Sequence, residues 1–316
     1  MDTKITKQRL FHLFSYEWVA MIFTFIGLVL AWNFIFQVTS VKPTRGQIFK
    51  YFVDYNITAK NEETFFQFLT DDQALDTLNI LKLEKETLYY GANDVLFARL
   101  QVNDGDVIFT EAIQNEQGEG RAQNIIDNGY VYTFNNLLND AKTYLDGFKT
   151  NGAYDDAKIS AHFLSRMEKD NRFKSDKAKA EGVELEKNRI LRLDKEVSDF
   201  EYLINCGEDI FYKYTRYSQS VQIAIEENKP EFEYLLNREI RDGRENAIYG
   251  IQLNAIVGGT DKVSTSSLFS VGEAQTAEGV ILMAFNFLNA QPDEQFEVIT
   301  FINSIVRNCS NLYQGR

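Results

Sequence analysis

The stretch Ala98–Ala112, ARLQVNDGDVIFTEA, decides the fold of this chain of 316 residues. Asp104-Gly105 predicts a turn, and Val107-Ile108-Phe109 is a short apolar run that favours a strand. An acid, Glu111, follows this run almost at once. Strands of a parallel sheet are buried on both faces, so they are apolar along their length and become polar where they end. The stretch therefore predicts a strand of a parallel sheet.

The chain before this stretch alternates between predicted strands and predicted helices. Ile48–Val53 and Leu78–Leu83 predict strands. Asn61, with acids and phenylalanines after it, predicts the start of a helix, and Asn93–Leu100 predicts another. The order strand-helix-strand-helix-strand with short connections predicts an α/β fold built on a parallel, doubly wound sheet.

Polar residues follow each predicted strand. Ligands of open α/β sheets bind outside the carboxyl ends of the strands, so these residues are expected at a ligand crevice. Glu84 and Glu86 are expected there beyond the second strand. The alternative is that all the polar residues after the predicted strands are loop residues in water. The candidate ligand-binding residues are Asp54, Tyr55, Asn56 and Glu111.

The segment Trp18–Val41 contains no charged residue. Roughly 20 apolar residues span a bilayer, so residues 18–41 predict a transmembrane helix that binds the lipid bilayer. A signal peptide has a shorter apolar region, and Val38-Thr39-Ser40 is a poor cleavage site. A hydrogen bond of Asn33 within its own helix is expected. Residues 1–17 form a short basic tail that is expected inside the cell, which places residues 42–316 outside.

Charge is distributed unevenly along the chain. The first 50 residues carry six basic and two acidic residues, and the remainder carries 27 basic and 44 acidic residues, a net charge of −17. A domain this acidic repels nucleic acid, so no nucleic-acid partner is expected. The only histidines are His12 and His162, which argues against a histidine-rich metal site and against a Ser-His-Asp enzyme.

The chain has two cysteines, Cys206 and Cys309. Two cysteines are too few for a disulfide scaffold. Outside the cell they could form one bond, and in the cytosol they would be two buried thiols. The sequence leaves both alternatives open.

The rest of the large domain is predicted to be helical in its middle, 131–229, and to be mixed α/β in 230–316. A helix follows Thr133, and the mixed charges of 166–196 predict a solvated helix face. An apolar seam runs from Ile190 to Ile204 and overlaps the end of the charged stretch 166–196. It is expected to pack on the domain. The predicted elements of the last part are a helix from Pro230 to Gly243, a buried strand over Val280–Phe287 and a closing helix after Pro292.

These segments resemble the N-terminal lobe of extracellular, sugar-type solute-binding proteins of ABC transporters. The resemblance rests on Asp54-Tyr55-Asn56, on LNILKLE at 78–84 and on NDVLFARLQVNDGDVIFTEA at 93–112. NDAKTYLDGF at 139–148 and QPDEQFEVITFINSIV at 291–306 are similar to helices of that family. The resemblance implies a periplasmic-binding-protein-like fold, with residues 42–130 as a βαβαβ lobe and the strand end at Glu111 facing an interlobe cleft. The chain departs from the family in having no Trp after Trp32 and in a domain that is short and tethered by a helix.

Three functions compete at this point. The resemblance implies a membrane-anchored protein that captures a small polar solute, such as a carbohydrate, for an ABC transporter permease. The alternative is a single-pass accessory subunit that binds another membrane subunit and no ligand. An enzyme is not expected, because no spacing singles out a pair of catalytic carboxylates, and no cofactor is implied.

Overall fold

The computed structural model describes residues 7, 11, 18–39, 48–71, 80, 82–89, 91–112, 120–167, 171–215, 246–273, 275–286 and 296–314. The chain divides into two compact units, Met1–Pro43 and Thr44–Arg316. The predicted helix from Pro230 to Gly243 and the start of the closing helix at Pro292 lie outside the described residues.

The described part of the first unit is mainly a long apolar helix, α1, over Trp18–Thr39. Its Trp18–Phe36 part is long and apolar enough to cross a membrane, a property that N-terminal signal sequences share. Asn33 Nδ2 donates to the carbonyl oxygen of Val29 at 3.0 Å, which confirms the expected bond within the helix. Such bonds satisfy polar side chains inside an apolar helix.

The second unit, Thr44–Arg316, is a mixed α/β structure. Its strands are β1 (Ile48–Val53), β2 (Ile57–Ala59), β3 (Lys82–Thr87), β4 (Val107–Glu111), β5 (Lys149–Thr150), β6 (Ala153–Tyr154), β7 (Phe211–Tyr214), β8 (Ala247–Gln252), β9 (Phe269–Val271) and β10 (Val280–Ala284). Its helices are α2 (Glu62–Asp71), α3 (Asn93–Gln101), α4 (Arg121–Asp127), α5 (Phe134–Asp146), α6 (Asp156–Met167), α7 (Asp176–Cys206), α8 (Thr265–Leu268) and α9 (Glu297–Cys309).

Six strands form one sheet in the order β3-β1-β4-β10-β8-β7. The pairs β1–β3 and β1–β4 are parallel, as the sequence predicts. The pairs β4–β10, β10–β8 and β8–β7 are antiparallel, so the prediction of a wholly parallel, doubly wound sheet is wrong for this half. Strands from 42–130 and from 230–316 therefore pair within a single sheet.

The antiparallel half follows from the connection between β8 and β10. Two paired strands that are parallel must be joined by a crossover from one end of the strands to the other. Two antiparallel strands can be joined at the end of the sheet where the first strand stops. The chain from Leu253 to Gly279 passes through α8 and β9, and β9 pairs with β2 near the end of β1. β10 then starts opposite Glu111, at the end of β4, and runs back beside it.

The strand β3 differs from its prediction in position and character. Leu78–Leu83 predicts this strand, but the observed strand is Lys82–Thr87, with the charged sequence KLEKET, and residues 78, 79 and 81 lie outside the described residues. β3 lies at one edge of the sheet, where polar side chains reach water and charges block pairing with other chains. Glu84 and Glu86 consequently lie within β3 and not beyond its carboxyl end, which corrects their expected place at the crevice.

Both faces of the sheet are covered. Alternate residues of a strand point to opposite faces, so Phe109 joins the larger cluster with α2, α5, α7 and α9, and Ile108 joins a second cluster with α3 and α4. Val280–Ala284 is buried throughout, which confirms a buried strand within the predicted Val280–Phe287. A sheet buried on both faces exposes its polar groups mainly at the ends of its strands. The candidate site lies at two of these strand ends.

The long helix α7 packs on the body of the domain through Ile190, Leu193 and Val197, as the sequence predicts. The prediction that the charge run 166–196 is a solvated face holds for only part of it. Glu186 and Arg189 are fully buried, and Arg189 donates two hydrogen bonds to Glu186 at 2.8 and 3.0 Å. Buried charges are tolerated when they are paired in this way.

Candidate functional site

The carboxyl ends of β1 and β4 lie side by side. They form an edge of the sheet made of strand ends, which is distinct from the lateral edge at β3. The two strands are parallel neighbours, with Val53 opposite Phe109. The backbone N–H of Asp54 donates to the carbonyl oxygen of Phe109 at 2.9 Å. Asp54 and Glu111 are therefore brought together at the same edge, in the arrangement that the parallel order of the strands predicts.

Asp54 is held by the protein itself. Its side chain is buried and accepts hydrogen bonds from Arg121 Nε at 3.0 and 3.1 Å, from Thr110 Oγ1 at 2.7 Å and from the backbone N–H of Tyr55 at 3.1 Å. Both carboxylate oxygens are thus occupied. Asp54 fixes the shape of the edge, and a ligand could bind it only by displacing these partners.

Arg121 is the residue at this edge that the sequence did not single out. It opens α4, and its guanidinium also donates to Asn93 Oδ1 at 2.6 Å and to the carbonyl oxygen of Tyr89 at 3.2 Å. These contacts join the starts of α3 and α4 to the end of β1. A cation is unfavourable beside the positive end of a helix, and the paired carboxylate of Asp54 offsets that repulsion.

The part of the edge that faces solvent is formed by Tyr55, Asn56 and Glu111. Asn56 Nδ2 donates to Glu111 Oε2 at 3.0 Å, and this hydrogen bond is exposed. Glu111 Oε1 makes no hydrogen bond with the residues that the structure describes. The side chain of Tyr55 is 47% exposed beside them. This surface offers a carboxylate, an amide and an aromatic face to a ligand.

A second exposed aromatic residue lies at the same edge. Tyr89 is 62% exposed, and its carbonyl oxygen accepts the bond from Arg121. Exposed tyrosine rings supply flat apolar surface beside a hydroxyl group, a combination suited to the faces and hydroxyl groups of sugars. The sequence did not indicate Tyr89, because the strand before it was predicted to end at Leu83. The observed strand ends at Thr87, two residues before Tyr89.

The arrangement is suited to hydrogen bonding. Among the described residues no group of three or more His, Cys, Asp or Glu side chains could hold a metal ion. Arg121 neutralises Asp54, which leaves Glu111 as the candidate residue whose carboxylate is open to a ligand. A carboxylate accepts hydrogen bonds from hydroxyl groups and binds them more strongly than a neutral acceptor does.

The two cysteines are free thiols and do not form the disulfide that the sequence left open. Cys206 is exposed at the end of α7, and Cys309 is buried at the end of α9. Burial raises the pKa of the Cys309 thiol to about 12, although nearby Lys262 acts in the opposite direction. The raised pKa and the burial of Cys309 both disfavour the reactive thiolate.

Comparison of the chain with protein-family models, with curated proteins and with solved structures gives no match.

Proposed function

We propose that the chain is a membrane-anchored binding protein that captures a small polar solute, of the carbohydrate class, and delivers it to an ABC transporter permease. In this proposal α1 spans the bilayer, residues 1–17 lie inside the cell and residues 42–316 lie outside. The solute binds at the adjoining ends of β1 and β4. The proposed contacts are Tyr55, Asn56 and Glu111, with Tyr89 as a second aromatic surface.

The exposed pair Asn56–Glu111 is the observation that carries this proposal. The amide and carboxylate are already oriented by their 3.0 Å hydrogen bond, and the buried Asp54–Arg121 pair fixes the backbone beneath them. Groups held in place before binding lose little conformational freedom when a ligand arrives, which favours affinity. Sugar hydroxyl groups can both donate to Glu111 and accept from the amide of Asn56.

A second candidate function is a single-pass accessory subunit that binds another membrane subunit and no solute. The observation in its favour is that residues 44–316 form one compact unit, whereas the resembled family binds its solute between two lobes. The occupied carboxylate of Asp54 also favours this candidate, since it removes one of the expected ligand contacts.

Binding of sugars to the full-length chain in detergent separates the two candidates. A panel of mono- and oligosaccharides would be screened by ligand-observed NMR, and the hits measured by calorimetry. Solute binding predicts at least one hit with a Kd in the micromolar range, which corresponds to a binding free energy of about −8 kcal/mol. A folded protein that binds no member of the panel would contradict solute capture and favour the accessory subunit.

A further inference from the structure

A cavity of about 410 Å³ lies in the connection between β8 and β10. It is lined by parts of 254–266, by 276–278 and by Cys309. Both β4 and β8 are antiparallel to β10, so the chain leaves β8 at the same edge of the sheet at which β4 ends. The volume lies within the range of small-molecule sites, about 300–1,000 Å³.

Several polar side chains of this cavity make no hydrogen bond with the residues that the structure describes. Thr265 is only 6% exposed and lines the cavity, and its hydroxyl group has no partner there. Ser264 caps α8 without a side-chain hydrogen bond. A hydroxyl group that faces a cavity and has no partner within the protein can donate to and accept from a ligand.

The cavity carries one positive and one negative side chain. Lys262 Nζ donates to the carbonyl oxygen of Arg307 at 3.0 Å, which leaves two further N–H groups of the ammonium. A Cβ on Gly258 would lie 2.5 Å from Lys262 Cβ and 2.6 Å from the carbonyl oxygen of Cys309, so glycine lets the loop close around Lys262. Glu278 forms no ion pair with the described residues.

One part of the cavity wall is apolar, beside polar lining residues that include Asn254 and Thr276. Ile256 and Ala277 are buried, Val263 lines the cavity beside them, and Val257 at its rim is 77% exposed. A ligand that matches all three features carries a negative group, a positive group and an aliphatic part. An inorganic anion would be repelled by Glu278, and a neutral sugar would leave both charged side chains without a charged partner.

We propose that this cavity binds a free aliphatic α-amino acid. Lys262 and the hydroxyl groups of Ser264 and Thr265 bind its carboxylate, and Glu278 binds its ammonium group. The aliphatic side chain packs on Ile256 and its apolar neighbours. This site uses none of the residues of the proposed sugar site and goes beyond that function.

Calorimetry of the full-length chain in detergent with L-leucine tests the proposal. L-leucinol lacks the carboxylate and N-acetyl-L-leucine lacks the ammonium group, so each is expected to bind at least about tenfold more weakly. Equal binding of L-leucine and either analogue would overturn the proposal, as would a folded parent protein that does not bind L-leucine.

Three variants locate the site. Glu278→Gln is expected to weaken L-leucine binding at least about tenfold, and Thr265→Val about threefold or more, because each loses a hydrogen bond to a charged ligand group. Glu273→Gln is the matched control, since Glu273 is exposed on the same connection and does not line the cavity. Glu111→Gln should leave L-leucine binding unchanged, which separates this site from the sugar site. Parent-like affinity in Glu278→Gln would overturn the proposal.

Discussion

Asp54 ends a strand that is otherwise apolar, and its partner Arg121 lies 67 residues further along the chain. The side chains are only 8% and 9% exposed. A charge at this depth is tolerated because the ion pair is completed by hydrogen bonds from Thr110 and Tyr55. The sequence identified Asp54 from its place after a strand. It could not identify Arg121, because only the folded chain brings the two residues together.

Loss of Arg121 should be among the most damaging single changes at this edge. Arg121→Met leaves the buried carboxylate of Asp54 without its cation, so the free energy of unfolding is expected to fall by about 3–5 kcal/mol. Urea unfolding of the full-length chain, followed by circular dichroism, measures this loss. Arg99→Met is the control, because Arg99 is 36% exposed and exposed ion pairs contribute about 0–1 kcal/mol. Equal losses in the two variants would contradict a structural role for the Asp54–Arg121 pair.

The thiols should differ sharply in reactivity. A pKa of about 12 leaves only about one Cys309 side chain in 10⁴ as the reactive thiolate at pH 8, and burial restricts access further. Iodoacetamide at pH 8 is therefore expected to modify Cys206 in the native protein and to modify Cys309 only after denaturation. Mass spectrometry of the parent and of Cys206→Ser checks this. Modification of native Cys309 at the rate of Cys206 would show that the end of α9 is open.

At the scale of elements, α7 and α9 are joined by buried charges. Glu297 is 1% exposed and accepts two hydrogen bonds from Arg192, at 2.9 and 3.0 Å, and Arg189 Nη1 lies 3.5 Å from it. The sequence 166–196 contains charges of both signs, which is typical of a solvated face. Composition alone could not distinguish the buried charges, since burial depends on the neighbouring helix.

Glu297→Gln should weaken the packing of α9 on α7. The variant removes the charge that balances Arg192 and Arg189, so a loss of about 3–5 kcal/mol in the free energy of unfolding is expected. Glu201→Gln is a suitable control, because Glu201 on α7 is 45% exposed and pairs with the equally accessible Lys142. The expected loss there is about 1 kcal/mol or less. A loss that small in Glu297→Gln would mean that the buried ion pairs do not hold the helices together.

At the scale of the whole molecule, the sequence predicted the α/β class and the parallel half of the sheet. Alternation of strands and helices between Ile48 and Glu111 constrains those strands to run in one direction, as β1, β3 and β4 do. The direction of β8 and β10 could not be predicted in the same way. The connection from Leu253 to Gly279 contains the short helix α8 and the strand β9, which pairs outside the main sheet, and neither has a strong periodic pattern.

The proposed orientation of the chain makes a prediction about intact cells. Protease added outside should digest residues 42–316 and spare roughly the first 40 residues, because a short basic tail stays inside. Immunoblotting with tags at each end, before and after permeabilisation, measures this. Full protection of the large domain would contradict the orientation. A mature protein that starts near residue 41 would contradict the membrane anchor.

The central claim is that the exposed edge at Asn56 and Glu111 binds the solute. The most direct test is calorimetry of the parent and of Glu111→Gln with the best sugar from the panel. A charge-assisted hydrogen bond contributes about 1.5–3 kcal/mol, so the variant is expected to bind at least about tenfold more weakly. Its free energy of unfolding should change by less than about 0.5 kcal/mol, as for other surface substitutions. Unchanged affinity in the variant would contradict the claim.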